Sequence, residues 1–235
     1  MEVIVLAGGL GTRLRSMVPS LPKCLAEINE VPFIKYIIEY LKQNNINRII
    51  FSLGYKSEYV VDYINKYNFG IDIVYSIEDK PLGTGGAVKK AIILAKSNDI
   101  YILNGDTFYD VNLLSFLSFH LKNKSACSIS LKPMFNFERY GAVLINNNSQ
   151  IIEFKEKEYC NVGLINGGVI IINVNYFNNL DLPETFSFED IFIKKVIEQK
   201  RIYGLVNDNY FIDIGIPDDY KRAQIEFKNM FNQKP

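Results

Sequence analysis

Near its beginning the chain carries the stretch Val3-Ile4-Val5-Leu6-Ala7-Gly8-Gly9-Leu10-Gly11-Thr12-Arg13-Leu14. Its first four residues are apolar and mostly β-branched, which is typical of a buried strand in a parallel sheet. Three glycines then follow within four positions. Because glycine allows φ > 0 and carries no Cβ, successive backbone N–H groups of such a loop can converge on an anion. The stretch therefore predicts a phosphate-binding loop, to which Arg13 and Lys23 add positive charge.

Two better-known glycine-rich loops do not fit this stretch. The P-loop needs four residues between its glycines and then Gly-Lys-Ser/Thr, which is absent here. The dinucleotide fingerprint G-x-G-x-x-G needs a small residue at its third glycine, and Leu14 occupies that place. These mismatches argue against an NAD-dependent dehydrogenase. A glycine-rich turn without a ligand remains the structural alternative.

Length, charge and cysteine content limit the class of protein. The 235 residues suffice for one large α/β domain. With 26 basic and 26 acidic residues the net charge is zero, so we expect no nucleic-acid partner. The three cysteines form no C-x-x-C pair, which predicts small buried reduced thiols, and there is neither a secretory signal nor an apolar run of about 20 residues. We therefore expect a cytoplasmic protein without a membrane partner.

The order of apolar patterns predicts a mixed sheet. Up to residue 75 the patterns alternate strand, helix, strand, helix, strand, which indicates parallel strands joined by right-handed crossovers. Ligands of such sheets bind beyond the carboxyl ends of the strands, where a second glycine-rich segment, Glu78–Ala87, also lies. Later strands, predicted at 127–131, 141–145, 151–154 and 166–172, are closely spaced, with a turn at 146–149. We therefore predict a Rossmann-like α/β fold, mostly parallel, with antiparallel strands in the second half.

An acidic residue follows the next buried strand. The run Ile100-Tyr101-Ile102-Leu103-Asn104-Gly105-Asp106 places a carboxylate at the same edge of the sheet as the two glycine-rich segments. Mg²⁺ binds carboxylate and phosphate oxygens together, so Asp106 is a candidate metal ligand. The alternative, that Asp106 caps the helix starting near Val111, is weaker because Asp110 is better placed for that cap. His120, the only histidine, is expected to be a surface or partly buried structural residue far from any acidic cluster.

Four separated segments resemble, in family order, the motifs of the sugar-1-phosphate nucleotidyltransferases. They are Leu6–Leu14 with Pro22-Lys23, Pro81–Ala87, the strand that ends at Asp106, and Phe211-Ile212-Asp213-Ile214-Gly215, in which Phe211 stands where Trp is common. The resemblance covers residues 1 to about 228. It implies a single domain over 1–235, with a nucleotide-binding half (1–110), a sugar-phosphate-binding half (111–235) and no C-terminal β-helix. The implied reaction joins an NTP and a sugar 1-phosphate into an NDP-sugar and pyrophosphate, with Mg²⁺ as cofactor.

The same resemblance implies roles for individual residues. Catalysis and metal binding fall to four charged side chains, of which the two acids would hold Mg²⁺: Arg13, Lys23, Asp106 and Asp213. The nucleotide would contact the two glycine-rich segments and their neighbours: Leu6, Ala7, Gly8, Gly9, Gly11, Thr12, Arg13, Lys23, Glu78, Gly83 and Thr84. The sugar phosphate would contact residues of the second half: Glu153, Lys155, Asn166, Gly167 and Glu189.

The sequences of these motifs most resemble those of small guanylyltransferases that act on mannose 1-phosphate or on D-glycero-D-manno-heptose 1-phosphate. Of these two groups, the heptose enzymes of bacterial capsule and surface-glycan synthesis are more similar in length and sequence. Glu78 could accept hydrogen bonds from guanine N1–H and N2–H₂ together, a pairing that uracil cannot offer. Uridylyl-, thymidylyl- and cytidylyltransfer remain alternatives, as does a regulatory homologue that binds nucleotide-sugars without turnover. An exposed apolar patch on the antiparallel part would indicate a homodimer.

Overall fold

The structure is a computed structural model that describes residues 1–9, 11, 14, 17–18 and 21–231. Thr12 and Arg13, two of the predicted nucleotide-binding residues, lie outside the described residues. In the described part, no helix combines the length and the apolar character that crossing a bilayer requires.

The first half builds the parallel part of the sheet. In chain order it contains β1 (Glu2–Leu6), the short strands β2 (Glu27–Ile28) and β3 (Val31–Pro32), α1 (Phe33–Gln43), β4 (Arg48–Leu53), α2 (Ser57–Asn65), β5 (Asp72–Ile77), α3 (Gly83–Ala91) and β6 (Asp99–Asn104). Strand β1 pairs in parallel with β4 and with β6, and β4 pairs in parallel with β5. These pairings confirm the predicted parallel core.

The second half adds antiparallel strands to the same sheet. It contains β7 (Thr107–Tyr109), α4 (Leu113–Lys122), β8 (Cys127–Phe137), β9 (Gly141–Ile145), β10 (Ile151–Lys157), β11 (Cys160–Asn173), α5 (Val174–Asn178), a π-helical turn (Phe188–Ile193), α6 (Lys194–Glu198), β12 (Ile202–Val206), β13 (Phe211–Asp213) and α7 (Pro217–Phe231). The main sheet runs in the order β10-β9-β11-β6-β1-β4-β5, and β8 joins β11 to β12. The hairpin predicted at 146–149 connects β9 to β10.

Alternation along the central strands fills two cores, one on each face of the sheet. On β1, Val3 and Val5 face α1 and α7, whereas Ile4 faces α3 and the π-helical turn. The central side chain of α7, Phe227, stacks with Phe33 of α1 at 5.9 Å and meets Phe108 of β7 edge-on at 5.5 Å. These contacts fix helix α7, which follows Asp213 in the chain, to the core on the face of the sheet that carries α1.

Three local predictions need correction. Helix α4 is capped by Asn112, whose side chain accepts a hydrogen bond from the Ser115 amide at 2.9 Å, and not by Asp110. The Phe188-Glu189-Asp190 sequence predicts the start of a helix that buries Ile191 and Phe192, but the segment begins as a π-helical turn, which buries Ile193 and leaves Ile191 half-buried. Of the cysteines, Cys24 and Cys127 are buried as predicted but Cys160 is only half-buried.

The prediction that His120 lies at the surface or is only partly buried was wrong as well. Its side chain is 1% exposed and contacts Ser128 Oγ at 2.9 Å and Asp99 Oδ1 at 3.2 Å. Asp99 lies on β6 and Ser128 on β8. Because Asp99 is 21 residues from His120 in the chain, their contact could not be predicted from neighbouring residues.

Candidate active site

The glycine-rich loop after β1 lines the first of two cavities, here called the loop cavity. This cavity has a volume of about 660 Å³ and lies at the carboxyl ends of β1, β4 and β5, as expected for a parallel sheet. Nine of the predicted nucleotide-binding residues line it: Leu6, Ala7, Gly8, Gly9, Gly11, Lys23, Glu78, Gly83 and Thr84. The two glycine-rich segments thus meet at one edge although about 70 residues separate them in the chain.

The second cavity, the strand cavity, lies over the antiparallel part of the sheet. Its volume is about 450 Å³. Four of the predicted sugar-phosphate residues line it, together with both predicted metal ligands: Lys155, Asn166, Gly167, Glu189, Asp106 and Asp213. Glu153 does not line either cavity. It is exposed on β10, whose pairing with β9 shifts register after it, and Glu156 lines the strand cavity instead.

Asn104 and Asp106 line both cavities, so the two cavities adjoin at the end of β6. Strand β13 reaches this point by pairing with β7, with Asp213 opposite Thr107, and the Ile214 amide donates to the Asp106 carbonyl at 3.0 Å. The fold therefore brings Asp106 and Asp213 together from positions far apart in the sequence.

Lys23 pairs with Asp106, and its ammonium group lies near Asp213. Its Nζ is 2.6 Å from Asp106 Oδ2. Gly215 shows how near this ammonium is to the second acid. A Cβ placed on Gly215 would lie 3.1 Å from Lys23 Nζ and 2.6 Å from Asp213 Oδ1. The partly desolvated ammonium therefore compensates the charge of Asp106 and lies close enough to Asp213 to attract its carboxylate.

The second glycine-rich segment is tied to the wall of the strand cavity. Thr84 Oγ1 accepts a hydrogen bond from the Phe188 amide at 2.9 Å, and the Gly85 amide donates to the Phe186 carbonyl at 2.9 Å. The next residue, Glu189, accepts a bond from Asn166 Nδ2 at 3.2 Å. The Thr84 hydroxyl thus positions the π-helical turn, and two predicted sugar-binding residues contact one another.

Glu78 is held at the edge of the loop cavity. Its Oε2 accepts a hydrogen bond from the Leu82 amide at 3.0 Å, and its own amide donates to the Leu53 carbonyl at 2.8 Å. These bonds fix the carboxylate between β5 and α3. A carboxylate oxygen has a second lone pair, so Glu78 can still accept a hydrogen bond from a ligand in this cavity.

Comparisons with known proteins agree with this geometry. Residues 2–229 match the nucleotidyl transferase family. The chain belongs to this family.

Among relatives of this nucleotidyltransferase is the D-glycero-alpha-D-manno-heptose 1-phosphate guanylyltransferase of Aneurinibacillus thermoaerophilus, 49% identical over 88% of this chain and 90% of the relative. The enzyme of the same name from Campylobacter jejuni subsp. jejuni is 44% identical over 81% of this chain and 84% of its own. The crystal structure of HddC from Yersinia pseudotuberculosis complexed with GMP-PN has a TM-score of 0.86 and 35% identity, covering 97% of this chain and 99% of that one.

Among the residues of the nucleotidyltransferase's strand cavity that were not predicted from the sequence are two that contact the acids or their partners. Arg139 and Tyr140 occupy the turn between β8 and β9 and line this cavity. Burial, and then the nearby Asp213 carboxylate, raise the pKa of Tyr140, so its hydroxyl stays protonated and donates to Asp213 Oδ2 at 3.3 Å. The Glu138-Arg139-Tyr140 sequence carries no periodic signal, and only the pairing of β8 with β11 places it here.

Cys24, the cysteine nearest the two acids, is not an activated nucleophile in this nucleotidyltransferase. Cys24 lines the loop cavity, but burial raises the pKa of its thiol to about 12. A thiol with that pKa remains protonated at neutral pH and does not attack phosphorus. Covalent catalysis by this thiol is therefore disfavoured.

Proposed function

We propose that this chain is a sugar-1-phosphate guanylyltransferase that joins GTP to D-glycero-α-D-manno-heptose 1-phosphate and releases pyrophosphate. The observation that carries the proposal is the adjoining of two cavities at Asp106, one lined by glycine-rich loops and the other by polar side chains of the antiparallel strands. Two relatives named for this activity, at 49% and 44% identity, favour the heptose and the guanine.

In the proposed reaction an oxygen of the sugar phosphate attacks the α-phosphorus of GTP. A bond forms between that oxygen and the α-phosphorus, and the bond from the α-phosphorus to the bridging oxygen of the β-phosphate breaks, so pyrophosphate leaves. Because the attacking oxygen is already anionic, no general base is required. Catalysis then depends on holding two mutually repelling anions in line and compensating their charge.

Residues of both cavities would hold the two anions and compensate their charge. In the loop cavity, amides of the glycine-rich loop would hold the phosphates that become pyrophosphate, and Lys23 would turn from Asp106 toward the α-phosphoryl group. Arg13, which lies outside the described residues, is assigned to the same phosphates by the family resemblance alone. In the strand cavity, Lys155 would hold the sugar phosphate while Asn166, Gly167 and Glu189 contact sugar hydroxyls. Glu153 keeps its proposed role only if β10 moves when ligand binds.

The donor set at the end of β6 fits Mg²⁺. Asp106 and Asp213 supply hard carboxylate oxygens, and in the described part of the chain no group of three or more His, Cys, Asp or Glu side chains forms a closed metal cage. Mg²⁺ typically takes one or two carboxylates together with substrate phosphates and water. When bound, the ion would neutralise charge on the phosphates, and the two aspartates would hold it.

The proposed division of labour follows the chain. All residues that line the loop cavity lie within 1–110, and the strand cavity draws mainly on 111–235. We also propose that the enzyme supplies GDP-heptose to surface-polysaccharide synthesis. We place it in the cytoplasm because its three cysteines are free thiols, which suit a reducing compartment.

The homodimer is part of the same proposal. Phe135 and Val162 are opposite one another on β8 and β11 and are 68% and 65% exposed, and Tyr159, just before β11 in the chain, is 62% exposed. Apolar side chains grouped in this way favour a protein contact. Light scattering should give the mass of a dimer for the wild type and of a monomer for Phe135→Glu, and a monomeric wild type would exclude this part.

The test of the activity is a matrix of four NTPs against several sugar 1-phosphates, scored by pyrophosphate release. We expect the highest kcat/KM for GTP with the heptose 1-phosphate. Higher turnover with mannose 1-phosphate would change the sugar, and higher turnover with UTP, TTP or CTP would exclude the guanine assignment. Tight nucleotide binding without any pyrophosphate release would instead indicate a regulatory homologue.

A further inference from the structure

Both carboxylate oxygens of Asp213 are held by hydrogen bonds. The Gly215 amide donates to Oδ1 at 2.7 Å, a bond closed within the turn that follows β13. The Tyr140 hydroxyl, which belongs to the turn between β8 and β9, donates to Oδ2 at 3.3 Å. The first bond is local and forms wherever this turn forms, whereas the second depends on a residue some 70 positions earlier in the chain.

The ring of Tyr140 is fixed on two faces. The guanidinium carbon of Arg139 lies 5.3 Å from the ring centroid, within the range of a cation–π contact. On another side the ring of Phe211 meets it edge-on at 6.1 Å. Phe211 belongs to the same short strand as Asp213, so the ring packs against the element that carries its acceptor.

Arg139 in turn is held by a buried acid. Asp219 lies in the first turn of α7, is 7% exposed, and pairs with Arg139 through Oδ2 and with Arg222 at 2.9 Å through Oδ1. Because Asp219 is buried, losing Arg139 would leave its charge compensated by Arg222 alone, which disfavours opening of the Asp219–Arg139 contact. The turn between β8 and β9 is therefore fastened to the helix that follows Asp213.

From these contacts we propose that Tyr140 is a positioning residue that fixes the orientation of the Asp213 carboxylate toward a divalent cation, and that the Asp219–Arg139 ion pair holds Tyr140 in place. This inference rests on the proposed function, because it takes Asp213 as a ligand of the metal. A ligand carboxylate that is free to rotate loses entropy on binding, and a hydrogen bond to its other oxygen removes that cost beforehand. Partners of metal ligands typically change metal affinity or activity by about 10- to 100-fold.

The principal test is Tyr140→Phe, which removes the hydroxyl and keeps the ring. Mn²⁺ binding would be followed by the paramagnetic resonance of free Mn²⁺ in the presence of α,β-methylene GTP, a probe that cannot react. We expect Mn²⁺ affinity to fall about tenfold, with KM for the sugar phosphate unchanged. The matched control is Tyr176→Phe, which removes a hydroxyl bonded to Gln199 and outside both cavities, and should leave Mn²⁺ affinity unchanged.

Asp219→Asn tests the second part of the inference. Asparagine keeps the shape and an acceptor oxygen but removes the charge that holds Arg139. We expect a smaller loss of Mn²⁺ affinity in the same direction, with Tm measured to show that the variant is folded. Unchanged Mn²⁺ affinity in this variant would remove the ion pair from the proposal.

The remaining outcomes separate this inference from the proposed function. Unchanged Mn²⁺ affinity in Tyr140→Phe would overturn the positioning role. If KM for the sugar phosphate rises in the same variant while Mn²⁺ affinity is unchanged, Tyr140 is a sugar contact instead. Because Mn²⁺ binding is measured without turnover, a wild type that binds Mn²⁺ with the analogue yet releases no pyrophosphate would fail the proposed function alone. A wild type that binds no Mn²⁺ would overturn this inference.

Discussion

The loop cavity and the strand cavity are built in different ways. The loop cavity is formed mainly by two continuous segments, each following a parallel strand, and much of its wall is backbone. The strand cavity takes side chains from the β8–β9 turn, β10, β11, the π-helical turn and β13. One cavity is thus specified by local sequence and the other by long-range pairing.

Glycine makes the first kind of construction possible. A Cβ on Gly8 would lie 2.9 Å from the Gly54 amide nitrogen, so the loop can approach β4 only without a side chain. Gly83 has φ +71°, a conformation that L residues rarely adopt, and it begins α3. The strand cavity depends instead on ion pairs and hydrogen bonds among side chains, such as Asn166 with Glu189. Substitutions should therefore act on one substrate at a time, except where the cavities adjoin.

The largest effect is expected where the two cavities adjoin. Asp106→Asn and Asp213→Asn each remove a carboxylate from the charge-compensating centre, and we expect kcat to fall about 1,000-fold with Tm nearly unchanged. Asp110→Asn, an exposed acid outside both cavities, is the control. Steady-state pyrophosphate release at saturating Mg²⁺ measures the effect, and near-normal kcat in Asp106→Asn would exclude the two-acid centre.

The same contrast explains how much could be predicted from the sequence. Apolar runs followed by glycine or acid located β1, β5, β6 and the loop cavity, because each signal lies within a few consecutive residues. Asp213, Lys155 and Asn166 were assigned only by resemblance to a family, and the structure places them in the strand cavity. Their roles stay predictions.

What the sequence did not indicate depends on tertiary register. Arg139 and Tyr140 reach the strand cavity because β8 extends to Phe137 alongside β11, beyond the predicted strand end. The π-helical turn shifts burial from Ile191 to Ile193 because its residues per turn differ from those of an α-helix. Neither register nor a π-helical turn has a recognisable local pattern, so no reading of neighbouring residues could have located these side chains.

A second prediction tests the strand cavity alone. Lys155→Met removes a cation from this cavity, and a lost charge-assisted hydrogen bond corresponds to about a 10- to 100-fold higher KM for the sugar phosphate. KM for GTP should be unchanged, as should both constants in the exposed control Lys122→Met. If Lys155→Met raises KM for GTP as much as for the sugar phosphate, the two cavities do not divide the substrates.

The converse prediction concerns the loop cavity. Glu78→Gln keeps an oxygen that can accept from the Leu82 amide but loses the charge proposed to face guanine. We expect the ratio of kcat/KM for GTP to that for UTP to fall about tenfold, with KM for the sugar phosphate unchanged. The exposed Glu58→Gln on α2 is the control. A ratio that does not move would remove Glu78 from base recognition.

The smallest effect is expected on protein stability, at His120. This side chain of α4 contacts Asp99 and Ser128 in the sheet that carries the strand cavity. Burial lowers the pKa of His120 from 6.5, and the Asp99 carboxylate opposes this shift without outweighing it. Below pH 6.5 the unfolded chain therefore takes up a proton that the folded chain does not, so the free energy of unfolding decreases as the pH falls. Above pH 6.5 the histidine is neutral in both states and contributes no pH dependence.

Replacing His120 should weaken the dependence of Tm on pH below neutral pH. His120→Gln keeps a hydrogen-bonding amide without a titrating ring, so its Tm should fall less than that of the wild type between about pH 7.5 and about pH 5.5. All other ionisable groups are common to both proteins, and their contribution cancels in the difference between the two profiles. Parallel profiles would mean that the folded protein accepts the proton at His120, with Asp99 compensating its charge, and that the side-chain contacts of His120 tolerate a buried imidazolium.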